Sequence, residues 1–331
     1  MTRRFVAAAA ALVVAAAVSA QQGRIVTSLT LFAGTAEGLW RSTDWAGSWA
    51  LVQGRPSGVR LDGIGAVRAI HTVGSQVWLG GDGGLYHSDD FGETWAALSL
   101  TSGIREALPS QWPQAEPTVF LGTGDGVLRS RDGGRTFEGT ALVAAAVHRL
   151  EWPGGALVAA CDRGLLVSRD EGRHFEGPGR GLPEGPVRAT ALSSFFLVDP
   201  VLFAAPASGG VYRSSDGGTT WTACGLSGER VGDLVWLGPF LYAAGENGFY
   251  RSQDAGASWT RLSASPGTPA RLMFPLAPAA GLEAFLATDR GLFRTADAGE
   301  HWTPAGFAGQ VVLTVATFPP PEPQSGKKPR R

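Results

Sequence analysis

One pattern recurs along this chain. Ser-x-Asp-x-Gly-x-x-Trp, with Phe allowed at the end, stands at Ser88-Asp90-Gly92-Trp95, Ser130-Asp132-Gly134-Phe137, Ser168-Asp170-Gly172-Phe175, Ser214-Asp216-Gly218-Trp221 and Ser252-Asp254-Gly256-Trp259. Two degenerate copies flank these five: Ser42-Asp44-Ala46-Trp49, with Gly47 displaced by one, and Thr295-Asp297-Gly299-Trp302. Successive aspartates are between 38 residues apart (Asp132 to Asp170) and 46 apart (Asp44 to Asp90). A period near forty restricts the chain to architectures in which one supersecondary unit is copied around an axis or along a line.

Each copy is preceded by Gly, two mostly apolar residues and usually Arg, as in Gly38-Leu39-Trp40-Arg41 and Gly126-Val127-Leu128-Arg129. Upstream of that short strand lies a second apolar segment, for instance Val77-Trp78-Leu79-Gly80 or Phe285-Leu286-Ala287, and before it a third, Val67 to Val73 or Val231 to Leu237. The aromatic residue of the motif opens a fourth. Four short strands per repeat is one blade of a propeller, and 47 Gly with 21 Pro suit many tight turns. The predicted fold is an all-β, seven-bladed β-propeller with four-stranded antiparallel blades. The first repeat begins at its second strand (Ile25 to Gly34), while an unpaired apolar strand, Gln310 to Phe318, follows the last motif. That strand is expected to complete blade one, with Gly309 to Val315 aligned on Gly65 to His71, so that no strand edge is left open.

The motif resembles the Asp-box, or BNR repeat, of sialidases, sortilin-type receptors and photosystem II assembly factors, and the resemblance covers almost the whole chain after residue 20. It implies that the box is the turn between strands three and four of a blade. Asp44, Asp90, Asp132, Asp170, Asp216, Asp254 and Asp297 are then structural: the carboxylate accepts the turn's own amides, the Ser hydroxyl adds a further bond, and Gly supplies a positive φ. The aromatic residue packs toward a neighbouring blade.

The ends read differently. Thr2-Arg3-Arg4, an apolar run from Phe5 to Val18 and the small residues Val18-Ser19-Ala20 have the order of a secretory signal, with cleavage expected after Ala20 and a secreted or periplasmic product. The domains predicted are thus a signal peptide (1–20), the propeller (21–318) and a disordered, basic, Pro-rich tail (319–331). The tail holds the only two lysines; between signal and tail stand 22 Arg against 28 Asp and Glu, a formal charge of −6. Nucleic acid is not an expected partner of such a body, since phosphate binding needs a basic face. No membrane span is expected after removal of the signal, and a monomer is. Cys161 and Cys224 are read as two free thiols.

In a blade the Asp-box turns share one face with the loops joining strands one and two. The opposite face carries the remaining loops and, near the start of the innermost strand, a recurrent arginine: Arg68, Arg105, Arg149, Arg188, Arg230 and Arg271, with Arg149 and Arg230 offset by about one residue. The guanidinium suits carboxylate or phosphate. The resemblance to photosystem assembly factors, in which an arginine-rich face is the functional one, makes this ring the candidate site. Glu37, Asp82, Asp125, Asp162, Glu246 and Asp289 reach the same face, so two readings stand: local Arg–acid pairing, or an anion or acidic-peptide site. Trp112, in the Pro-rich loop Pro109 to Pro117, is a further candidate partner contact on the Asp-box face.

No catalytic residue, metal ligand set or cofactor is indicated. The Phe/Tyr-Arg-Ile-Pro signature of sialidases does not occur, and the four tyrosines (Tyr86, Tyr212, Tyr242, Tyr250) fall at strand positions. His71, His87, His148, His174 and His301 lack the spacing of a metal site. Two functions follow as alternatives: a non-enzymatic exported propeller that binds a protein or peptide, or a carbohydrate-active protein, glycoside hydrolase or lectin, using the arginine-bearing face. Removing residues 310–318 is expected to abolish cooperative thermal unfolding of the whole domain; a normal unfolding transition in the truncated protein would contradict closure by that strand.

Overall fold

The computed structural model describes residues 30–53, 61, 63–98, 103–111, 113, 115–153, 155–193, 196, 198–274 and 283–318. The expected signal, the expected tail and Trp112 lie outside them. The described residues form strands and no helix, arranged in seven antiparallel sheets.

Blade two shows the unit: an inner strand Val67–Val73, then Gln76–Gly81, Gly84–Ser88 and the outer Ala96–Ala97, paired in that order. Second strands such as Leu157–Cys161 and Leu202–Pro206 are buried at every residue. They are apolar without alternation because both their faces are covered: Leu157 and Ala159 pack toward blade three, Val158 and Ala160 toward blade five. Seven such seams join successive blades.

The chain closes as expected. Val312–Phe318 pairs antiparallel with Thr30–Thr35 as the inner strand of blade one. The seam between blades seven and one contains Phe285, Leu292, Leu31 and Val312, and Trp49 Nε1 donates to Ala305 O across it at 2.8 Å. The register is one residue away from the sequence alignment. Val312 faces Thr35 as Val67 faces Gly81, so Val312 and not Val311 is the counterpart of Val67, and Leu313 takes the place of Arg68.

Blade four departs from the repeat. It has three strands, Val147–Glu151, Leu157–Cys161 and Gly164–Ser168, and its outer strand is reduced to one bridge, Val167 to Glu176. Pro178, two residues on, has no N–H to extend a ladder. The chain instead crosses to blade five, where Arg180 N donates to Thr219 O and Trp221 N donates to Arg180 O.

The turns that give the repeat its signature are alike in all seven blades. The Ser or Thr hydroxyl donates to aspartate Oδ1 at 2.7–2.9 Å and accepts the amide two residues beyond the aspartate at 2.7–3.0 Å. The amide four residues beyond donates to the same Oδ1 at 2.8–2.9 Å. A further bond falls outside the Ser-Asp-Gly-Trp consensus. The side chain at that fourth residue, Ser48, Thr94, Thr136, His174, Thr220, Ser258 or His301, lies 2.6–2.7 Å from Oδ2. His174 and His301 are exposed but serve the box through Nδ1. These bonds favour the ionised aspartate; the Ser48 hydroxyl and amide, with Ser42, hold the Asp44 carboxyl down at about 2.

The glycine of the box has a second task besides its positive φ. An added Cβ at Gly92 would lie 2.8 Å from Phe32, at Gly134 2.8 Å from Trp78 and at Gly256 3.1 Å from Phe203, in each case a side chain of the preceding blade. In blade one Ala46 fills this place with φ 67° and joins the closing seam. The strand-three arginines also tie blades together: Arg41 bonds Glu93 of the next box, and Arg129 donates to Glu171 O at 2.8 Å. Gly299→Ala is the sharpest test of this packing, because a methyl there would sit inside the fully buried Phe249 ring at φ +94°. It is expected to cost about 2–4 kcal/mol, read as a lower midpoint in urea unfolding.

Candidate functional site

The inner strands of all seven blades share one irregularity. The pairing slips by a residue between Val67 and Ala69, Ile104 and Glu106, Val147 and Arg149, Val187 and Ala189, Val231 and Asp233, and Pro269 and Arg271. In blade one the slip lies between Val312 and Thr314. The extra residue of each bulge is released from the ladder at the end of the channel opposite the Asp-box turns. Those residues are Arg68, Arg105, His148, Arg188, Gly232, Ala270 and Leu313.

The six arginines singled out by sequence therefore separate into three groups. Arg68, Arg105 and Arg188 occupy bulges and are exposed, with His148 in the bulge of the blade between Arg105 and Arg188. Arg149 and Arg271 stand one residue later and turn into the channel, so Arg271 shares the offset expected for Arg149. Arg230 precedes its strand, 71% exposed and 3.9 Å from Glu246.

On the bulge face, a cavity of about 480 Å³ is lined by Arg68, Asp82, Arg105, Asp125, His148 and Leu313, among others. Arg68 is held by Asp82 through Nε at 3.0 Å and Nη2 at 3.4 Å. His148 Nε2 lies 2.7 Å from Asp162 Oδ1, and the Arg188 guanidinium rests 3.3 Å from both ring nitrogens. Burial pushes the His148 pKa down despite Asp162, which leaves Asp162 to be held low by that contact. Arg105 and Arg188 make no ion pair among the described residues. Local pairing thus accounts for Arg68 and Arg230, whereas Arg105 and Arg188 act on Asp162 only at longer range.

The other end of the channel, on the Asp-box face, opens into a larger cavity of about 1300 Å³. It contains a charge cluster that the sequence does not announce. Arg149 lies 3.7 Å from Asp233, and Arg271 lies 3.6 Å from Glu106. Glu151 and His71 stand in the same channel. Burial raises the Glu106 carboxyl to about 7 and the Glu151 carboxyl to about 8, in both cases against the pull of Arg149, and raises Asp233 as well. Burial and the nearby Arg149 lower His71 to about 4, which keeps it neutral. Glu106, Arg149, Asp233 and Arg271 occupy one equivalent position, the residue directly after the bulge, which is charged in four of the seven blades with either sign; the available signal is a charged residue at the third or fifth position of an otherwise apolar inner strand.

The remaining sequence assignments fall as follows. Tyr242 is fully buried and stacked on Phe249 at 5.8 Å, and Tyr250 donates to Glu229 at 3.0 Å, both structural. Cys161 and Cys224 are free thiols, the first buried and the second half-buried.

Residues 86–97, which run from the third strand of blade two through its box, match the family model of the BNR/Asp-box repeat. The chain is a seven-bladed β-propeller that carries a BNR/Asp-box repeat. Among solved structures, one of YCF48 bound to D1 peptide is similar over 72% of this chain and 81% of that one, at 16% identity and a TM-score of 0.55. YCF48 from Cyanidioschyzon merolae is similar over 72% of this chain and 84% of that one, at 14% identity and a TM-score of 0.55. An ancestral GH74 enzyme is similar over 83% of this chain at 15% identity and a TM-score of 0.63, but this chain spans only 44% of that enzyme. At such identities the likeness is one of fold. No curated protein matches the chain.

The raised carboxyls fix the pH response of this propeller. A group whose folded pKa exceeds its unfolded value stabilises the fold below the unfolded value, and that contribution is lost as pH rises through the folded one. For Glu106 and Glu151 the loss runs from about 4.5 up to about 7 and 8. The box aspartates act oppositely, their contribution being lost as pH falls from 3.8 toward about 2 for Asp44. His71 opposes these carboxyls below pH 6.5, because its contribution is lost as pH falls from 6.5 toward about 4. Above pH 6.5 only the carboxyls act, and the melting temperature should decline from pH 6.5 toward pH 9. Glu151→Gln should flatten that decline; a wild-type melting temperature unchanged between pH 6.5 and about pH 9 would contradict the buried cluster.

Proposed function

We propose that this Asp-box propeller is an exported, non-enzymatic protein that holds an acidic segment of a protein partner on the face opposite its Asp-box turns. The observation that carries the reading is the pair of exposed arginines without an ion-pair partner among the described residues, Arg105, which lines the cavity of about 480 Å³, and Arg188, which rests on the His148 ring at that cavity's edge. On a body of net charge −6 they make a local positive field, and two planar forks fixed by the sheet suit carboxylates. The similar fold of YCF48, solved with a D1 peptide bound, supports a peptide as the kind of ligand a propeller of this type accepts. Export rests on the basic, apolar and small-residue order of residues 2–20.

The tagged protein and an Arg105→Ala/Arg188→Ala variant should be compared in capture from the exported fraction, then in titrations with acidic peptides drawn from whatever is captured. The wild type is expected to bind and the variant to lose about tenfold or more in affinity, with unchanged melting temperature and an affinity that falls with salt. Arg68→Ala, which removes an arginine already paired to Asp82, should change affinity much less. Equal binding by the double variant would overturn the reading.

A further inference from the structure

The cavity at the Asp-box end of the channel has a composition of its own. In the channel Arg149 stands by Asp233 and Arg271 by Glu106, and the box residues Arg169, Asp170, Glu171 and Arg173 also line the cavity. Two further buried groups are unsatisfied. Thr190 is fully buried with no hydrogen bond to its Oγ1, and Glu151 Oε1 likewise has no partner. Both residues line the cavity, as does His71. Buried polar atoms without partners are rare and call for a ligand or ordered water.

Two tryptophans flank these groups. Trp152, directly after the inner strand of blade four, and Trp236, at the equivalent position within that of blade six, both line the cavity. Each is fixed edge-to-face against a buried phenylalanine, Trp152 on Phe120 at 4.9 Å and Trp236 on Phe203 at 5.3 Å between centroids. Rigid aromatic plates beside neutral hydrogen-bonding groups match a ligand that has apolar C–H faces and many hydroxyls. A charged ligand fits less well, since an anion would face Glu106, and an amine would face Arg149 and Arg271.

We infer that this cavity binds a neutral oligosaccharide, its C–H faces laid against Trp152 and Trp236 and its hydroxyls bonded to Glu151, Thr190 and His71. With a volume of about 1300 Å³ it exceeds the usual size of a single small-ligand pocket and accommodates several sugar rings. The neutral state of His71 and the high pKa of Glu151, which keeps its carboxyl protonated at pH 7, suit such a ligand. The site lies at the opposite end of the channel from the arginines, so it stands or falls independently of the peptide-binding reading.

The test is titration calorimetry with tryptophan fluorescence, using soluble neutral cello-, xylo-, manno- and chito-oligosaccharides of four to six rings. At least one is expected to bind with a Kd of about 1 mM or tighter. Trp236→Ala should weaken it about tenfold or more and the near-isosteric Thr190→Val by a smaller but measurable factor, while Arg105→Ala/Arg188→Ala leaves it unchanged. Thr190→Val carries the test should Trp236→Ala fail to fold. No binding by any probe at about 10 mM would mean a cavity filled by water only, and binding that survives both channel variants would place the sugar elsewhere on the protein; either result would overturn the proposal.

Discussion

The seven aspartates of the boxes hold everything else in place. Each carboxylate gathers a hydroxyl, a backbone amide and the side chain four residues on, and so turns a loop of eight residues into a rigid corner without using a single buried apolar group. The energy of any one of these exposed bonds is small. Their effect is geometric: the corner forces two successive residues into the left-handed region, as at Phe91 and Gly92 or Gly217 and Gly218, and lays the second of them against the preceding blade. The aromatic residue that follows then enters the seam, as Trp49 and Trp259 do when they bond to carbonyls of the blade before. A local turn thereby sets a long-range contact, and seven repetitions of that step set the ring.

How much of this is readable in sequence depends on whether a residue recurs. Blade number, strand order and ring closure follow from the spacing of the boxes, since each is specified seven times. The partner of aspartate Oδ2 is readable in the same way, because every box carries Ser, Thr or His there, although three residue types hide the rule. What sequence misses lies in the inner strands. The bulge, present in all seven, decides which side chain leaves the ladder, and the residue after it, Arg149 or Arg271, enters the channel rather than the face. Blade four loses its outer strand where Gly177 and Pro178 interrupt pairing. The cluster of Glu106, Arg149, Asp233 and Arg271 is assembled from four blades, one residue from each, and only the closed ring brings them together.

The two ends of the channel consequently differ in chemistry although the repeats that build them are alike. At the bulge end, exposed arginines act through charge in high dielectric, where strength is modest and salt-sensitive. At the box end, opposite charges are paired within the protein, carboxyls are driven toward neutrality by burial, and aromatic walls remain. The first suits a flexible acidic segment; the second suits a ligand without charge.

The bulge carries a last consequence. Because the extra residue is outside the ladder, its side chain is not tied to register or to the box, and Arg, His, Ala and Leu occupy it in six of the blades. In the seventh, an added Cβ at Gly232 would lie 2.2 Å from Pro269 O. The other six positions are sockets around a single axis, filled differently by one chain without a change in the ring that presents them. A propeller made this way can change what it recognises at the pace of single substitutions, while the parts that keep it folded stay as they are.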